Sequence, residues 1–279
     1  MRADGKRLKH CDPMYTVASH IMRQRTDAMN MITVDIPCEP MQNYINTARK
    51  DGRHISHMAI ILAAYLRTMA KYPFLNRFIV NCKPYTRNEI KVGMVVMKAG
   101  RDDSIMSKIA LEITDTIDEV NRKINEYVEF NRTVEESNAT EKLISTLLSI
   151  PGLLRVGVPV LIWLDKHGLL PKSIIDASPF HASLGITNLA SIKTNHIYHH
   201  CYNFGTTSVF MAMGNAREVA RRHHGEIVFE KCMPIGVVMD ERICSGHDFA
   251  LAFRYMQKLL ADPSVLEQPP QEVIPDPAL

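Results

Sequence analysis

The sequence predicts a single mixed α/β domain, and three observations carry that expectation: strand-like and helix-like stretches follow one another without strict β-α-β alternation, no shift in composition marks a boundary, and no internal repeat is visible. The chain has 279 residues, 46% hydrophobic and 23% charged, which suits one large soluble domain with a substantial core. A polar segment at 1–14 precedes the domain at 15–264, and a proline-rich tail at 265–279 follows it.

Taken in order, residues 15–30 read as a helix and 31–37 as a strand, because β-branched residues dominate the second stretch. Ser56 then stands before Met58, Ile61, Leu62, Tyr65, Leu66 and Met69, a spacing that places all six on one helical face until Pro73 ends it. Strand-like runs at 78–81 and 90–97 are joined by a polar turn with Lys83, Pro84 and Asn88. Asp115 is placed to cap a helix that carries Ile117, Val120, Ile124 and Val128, and 141–150 continues helical as far as Pro151. Residues 151–179 are proline-punctuated and the least regular part of the chain. Strand signals return at 183–188, 207–213 and 226–239, with Arg221, Arg222, His223 and His224 reading as a basic surface turn between the last two. A final helix uses Phe249, Ala252, Phe253, Met256, Leu259 and Leu260 before Pro263 stops it, and the tail beyond is expected to be disordered or draped over a partner.

Several function classes fall away. Lys and Arg number 33 against 30 Asp and Glu, and the net charge of +3 is not clustered, so no nucleic-acid partner is expected. Six cysteines contain no Cys-x-x-Cys pair, and the polar N-terminus has no apolar secretion core, so reduced thiols in the cytoplasm are expected. The apolar stretch 153–164, interrupted by Arg155, Gly157 and Pro159, is shorter than the roughly 20 residues that span a bilayer. It reads as a buried or interface helix, with a membrane-surface helix as the lesser alternative, and no membrane partner is expected. Glycine-rich nucleotide loops and a G-x-S-x-G elbow are lacking.

Five local sequences, in order, resemble the catalytic domain of the dihydrolipoyl acyltransferases of 2-oxo acid dehydrogenase complexes and, more remotely, chloramphenicol acetyltransferase. Val17 to Ile21 is similar to that family's opening I-A-x-R-L helix, and Ile55 to Met58 with Tyr72 to Asn76 to its S-V-N-D helix and V-P-E-L-N turn. Ile186 to Leu189 resembles T-I-S-N-L-G, Phe210 to Gly214 resembles I-L-A-V-G, and Asp240 to Gly246 lies where the family has D-H-R-x-x-D-G. The resemblance implies a chloramphenicol acetyltransferase-like fold with a mixed sheet and flanking helices, interrupted by an insertion at about 135–179. It further implies a homotrimer with active sites at subunit interfaces, and coenzyme A or acyl-coenzyme A as a substrate. With no lipoyl domain in the sequence, no lipoyl group is expected on this chain, and no metal.

The family's general base, a histidine, is replaced by Glu241, and the aspartate of its motif by Ser245, followed by Gly246. A carboxylate near pKa 4.3 is a weak base for a thiol near 8.5 unless burial raises it, and Arg242 beside it opposes that rise. Glu241 therefore reads either as an altered base or as a loop-holding side chain. His20 stands where the family has an arginine paired with the motif aspartate; it reads as a partner of Ser245 or as a plain helix-surface residue. Thr187 takes the place of the hydroxyl that steadies the family's tetrahedral oxyanion, with Asn188 next to it, although a strand threonine needs no such role. His196, His199 and His200 fall within five residues. Zinc binding is disfavoured because no carboxylate accompanies them, whereas His199 or His200 is a candidate for the missing base, surface histidines being the alternative. Two functions result: a coenzyme-A-dependent acyltransferase passing an acyl group to a thiol or hydroxyl acceptor with an altered base, or a catalytically silent trimeric scaffold.

Overall fold

The computed structural model describes residues 2–97, 104–133, 145–146, 148–149 and 151–279. The chain runs through strand β1 (Gly5–Arg7), helix α1 (Pro13–Ile21), strand β2 (Met29–Pro37), helices α2 (Cys38–Lys50) and α3 (His57–Lys71), and strands β3 (Arg77–Val80), β4 (Lys83–Arg87), β5 (Ile90–Met97) and β6 (Ser104–Leu111). Helices α4 (Ile117–Thr133), α5 (Leu153–Lys166) and α6 (Lys172–Ala177) follow, then strands β7 (Leu184–Asn188), β8 (Val209–Met213), β9 (Arg217–His223) and β10 (Glu226–Asp240), and helix α7 (Gly246–Ala261). The main sheet has the order β2-β10-β8-β7-β5-β6, with β9 paired to β10, and β1-β4-β3 form a small second sheet. Strand β7 is parallel to both β5 and β8 while the other pairs are antiparallel, so the sheet is mixed as the sequence predicts.

Side-chain alternation gives the sheet two different faces. Ile235, Val237 and Met239 of β10, Val209, Met211 and Met213 of β8, and Leu184 and Ile186 of β7 join α3, α4 and α7 in one apolar core. Helix α3 lies at its centre with almost every residue buried, and Ser56 caps it by accepting a hydrogen bond from the Ala59 amide at 3.1 Å. The intervening residues, among them Gly185, Thr187, Phe210, Ala212, Gly236 and Val238, turn to the opposite face.

Several elements differ from the sequence reading. The helix expected over 15–30 begins at Pro13, whose missing amide suits the first helical position, with Asp12 capping the Met14 amide. It ends at Ile21, and the chain turns through Thr26–Ala28 into β2. The polar turn expected between two strands is itself the strand β4, because Asn81 and Cys82 both adopt left-handed backbone conformations and close a tight hairpin before it. Thr116 and Glu119 form the reciprocal cap of α4, while Asp115 accepts from the Glu112 amide and pairs with Lys123. Most of 141–150 lies outside the described residues. The stretch 151–179 holds two helices, and the basic turn expected near 221–224 is the tip of a β9-β10 hairpin.

Both termini are held against the domain. Arg2 is buried and donates to the Asp165 carboxylate at 2.7 Å, and β1 pairs with β4. In the tail, the Ile274 amide donates to Ala70, and Ala278 accepts from the amides of Lys9 and His10. Asp276 receives both ends of the Arg77 guanidinium, Nε and one terminal nitrogen, at 2.6 Å each. The tail is therefore draped over its own chain rather than disordered. Asp276 is nearly inaccessible to solvent, so Asp276→Ala leaves the largely covered Arg77 guanidinium without its counter-charge, holding only the Ile243 carbonyl among the described residues. The variant is expected to lose about 3 kcal/mol of unfolding free energy, read from urea denaturation.

Candidate active site

Register across the main sheet aligns four residues in one row: Thr187 of β7 lies beside Ala212 of β8, Ala212 beside Gly236 of β10, and Gly236 beside Thr33 of β2. All four belong to the face away from the helices, so two hydroxyls flank two small residues. The segment 194–203 crosses this floor. His196 Nε2 lies 2.9 Å from the Thr33 hydroxyl, which also bonds the Tyr198 hydroxyl at 2.6 Å. His199 Nε2 lies 2.9 Å from the Thr187 hydroxyl. Beyond them, the Cys201 amide meets the Met29 sulfur, and Cys201, Phe210 and Val238 form a small apolar cluster. The crossing depends on glycine: a Cβ at Gly236 would stand 2.6 Å from the Ile197 carbonyl oxygen and 2.9 Å from the His196 ring.

His199 is half-buried between the Thr187 strand and Phe210, whose ring centroid is 5.9 Å away. Burial, with the neighbouring His200 adding to it, holds the His199 imidazole below its ordinary pKa, so it is neutral at pH 7. A neutral imidazole can accept the Thr187 proton at Nε2 or take one from a substrate at the same atom. His200 is exposed, and Asn188 ends β7 with its side-chain oxygen buried and without a hydrogen-bond partner among the described residues.

The loop after β10 is built differently from the sequence reading. Arg242 is buried and grips Asp240 with two bonds of 2.7 Å while donating to the Met22 carbonyl at 2.9 Å. Glu241 lies between them in sequence but points elsewhere, its carboxylate accepting from the Asn30 side chain at 2.7 Å. Ser245 caps α7 in a reciprocal bond pair with Asp248, and Gly246 occupies the first helical position, where a Cβ would meet open space. His20 is exposed and bonds the Thr16 carbonyl of its own helix at 2.8 Å. A His20 to Ser245 pairing is thus not formed. The contact from α1 to this cap comes from Tyr15, whose hydroxyl lies 3.5 Å from Asp248.

Arg25 escapes the sequence reading. It is buried, lies 3.4 Å from Asp240, and donates to the carbonyls of Ile79, Tyr202 and Gly205. Its only sequence signal is a cation inside an apolar-periodic stretch read as helix.

The structure therefore brings Thr187 and His199 together and leaves Glu241 apart. Glu241 is five residues past Gly236 on β10, while Thr187 lies in the Gly236 row two strands away. At about 3.3 Å per residue the separation is on the order of 15 Å or more.

No family model and no curated protein sequence matches the chain. Solved structures do. A dihydrolipoamide acetyltransferase of Azotobacter vinelandii aligns with a TM-score of 0.60 at 12% identity, covering 91% of this chain and 88% of that one. The cubic core of a pyruvate dehydrogenase multienzyme complex aligns with a TM-score of 0.59 at 12% identity, covering 94% and 93%. A chloramphenicol acetyltransferase aligns with a TM-score of 0.54 at 12% identity, covering 91% and 99%. At such identities it is the fold that is shared, and the chain has the chloramphenicol acetyltransferase-like fold of the dihydrolipoamide acetyltransferase catalytic cores, as its motifs predict.

Proposed function

We propose that this protein is an acyltransferase that moves an acyl group between coenzyme A and a thiol or hydroxyl acceptor, with His199 as the base in place of the family histidine. The observation that carries the reading is the 2.9 Å contact between His199 and Thr187 on the helix-free face of an acyltransferase fold. His199 Nε2 takes the acceptor's proton as its oxygen or sulfur attacks the thioester carbonyl. Occupation of Nε2 by the acceptor frees the Thr187 hydroxyl to donate to the oxyanion that forms. Collapse breaks the carbon–sulfur bond, and the departing coenzyme A thiolate recovers the proton from the imidazolium. Metal and lipoyl groups have no part in this scheme.

We further propose a cytoplasmic homotrimer with interfacial sites. In it, the β10 end that carries Glu241 and Arg242 faces the β7 end of the next subunit, so that Glu241 lines the acceptor's path there. The alternative, a catalytically silent scaffold, draws on the bonds that hold Glu241 to Asn30 and Ser245 in a helix cap.

Calorimetric titration with acetyl-coenzyme A separates the two: binding in the micromolar range supports the enzyme, and no heat at millimolar ligand overturns it in favour of the scaffold. With a working acceptor, His199→Gln is expected to lower kcat/KM by about 10²–10⁴. Thr187→Val should lower it by about 10²–10³, measured as free thiol released. Equal activity of both variants and the parent would remove this pair from the chemistry. The pH profile carries a sign as well. Because burial depresses the His199 pKa, the neutral base survives as pH falls through 6.5, and the acid limb of kcat/KM is expected below that value.

A further inference from the structure

Helix α5 is apolar on nearly every side, and of its residues only Asp165 is buried. Of the buried or interface helix expected here, the buried alternative does not hold within one chain. Leu154, Val156, Val158, Val160 and Trp163 are all exposed, Val156 by 65% and Trp163 by 54%, and Leu169 extends the patch past the C-terminal end. A helix apolar all round belongs in a protein core or in lipid.

Two features select the occupant. At about 100° per residue, Leu154 and Val158 share one side, while Val156, Val160 and Trp163 share the opposite one. A groove on a second protein meets one stripe, whereas a surface the helix can sink into covers both sides together. The second feature is charge. The exposed ionic residues of the helix, Arg155 and Lys166, are both basic, and its one acid, Asp165, is withdrawn into ion pairing with Arg2. Trp163 packs against His167 with centroids 4.3 Å apart and the rings tilted by 31°, an amphipathic pair suited to the headgroup level. Arg2 also donates to the Asp165 carbonyl at 2.6 Å, so the helix is rooted at its C-terminal end, and its other residues are exposed or half-buried among the described residues.

We propose that α5 docks the protein peripherally on an anionic lipid surface, its apolar side chains among the acyl chains and Arg155 and Lys166 at the phosphates. With 14 residues the helix is about 21 Å long, too short to cross a bilayer but long enough to lie in its interface. This replaces the expectation of no membrane partner.

Trp163 is the sole tryptophan, so its fluorescence reports on this helix alone. The full chain is mixed with vesicles of phosphatidylcholine, alone or with phosphatidylglycerol. The expected result is co-flotation with the anionic vesicles, a blue shift of Trp163, and quenching by brominated acyl chains. Arg155→Glu with Lys166→Glu should weaken partitioning about tenfold or more. Val156→Asp with Val160→Asp should abolish it, both double variants keeping the parent's circular dichroism and melting temperature. Unchanged Trp163 emission with no flotation on either vesicle overturns the proposal. So does a vesicle-free oligomer that Val156→Asp with Val160→Asp dissociates, which assigns the helix to a subunit contact. Neither readout depends on acyl transfer.

Discussion

Asp240 is shut off from solvent and held between two arginines, and the arrangement of both sheets depends on it. Arg242 takes both of its oxygens and reaches the Met22 carbonyl at the exit of α1. Arg25 approaches the same carboxylate and spends its other donors on Ile79 in the small sheet and on Tyr202 and Gly205 at the end of the crossing segment. One carboxylate thus joins the last strand of the main sheet, the small sheet, the first helix and the segment that carries the histidines. Two cations on one anion are tolerable in a buried site because carbonyl oxygens accept from the terminal nitrogens of both guanidinium groups, although Arg25 Nε is left with the ion pair alone among the described residues. The cluster works only as a whole: removing one partner of such a pair costs about 3–5 kcal/mol, since a charge is left buried without its counter-charge.

How much of this was legible in the sequence depends on whether the signal was local. Helices α3 and α7 announce themselves because their apolar residues recur at helical spacing, and both buried faces are in place; the serine before α3 was legible as its start, whereas Ser245, read only as a motif position, turns out to cap α7. Strand β4 was hidden because its hairpin uses Asn81 and Cys82 where a glycine would be the usual sign, and because Pro84 argued against a strand. The polar surface of α2 masked three buried residues, Met41, Ile45 and Ala48, that suffice to pack it. Strand β9 carries three arginines, a composition typical of a protected edge and easily read as a turn. The tail looked unstructured from its prolines, yet Asp276 finds Arg77 far away in the chain. Long-range ion pairs of this kind, like Arg25 with Asp240, leave no periodic trace.

The candidate site shows the same division. Thr187 and His199 are each visible as chemistry-bearing residues, but their contact requires the chain to leave β7, turn through Leu189–Ile192 and come back over the sheet. That return is possible because the floor beneath it is small: Gly236 and Ala212 lie between the two threonines, and Gly214 passes directly under the His196 backbone. The sequence resemblance pointed to Glu241 and Ser245 because of where they stand in a motif. The structure shows what those positions do in this chain, one bonding Asn30 and the other capping a helix.

Strand direction explains why the two candidate bases are not equivalent. Strand β7 runs parallel to β8, and β8 runs antiparallel to β10, so the carboxyl ends of β7 and β10 point to opposite edges of the sheet. Thr187 lies near the first of these ends and Glu241 just past the second. Within one chain no side-chain rotation closes a gap of several residues across two strands, so chemistry that uses Thr187 with Glu241 needs two copies of the protein. The contact of Thr187 with His199 is made within one. In the proposed reading, where the family's histidine would act from across a subunit interface, Glu241 leaves the hydroxyl at 187 without that base. A histidine on the crossing segment, already at hydrogen-bond distance and kept neutral by burial, is the group the same fold can supply from the same subunit.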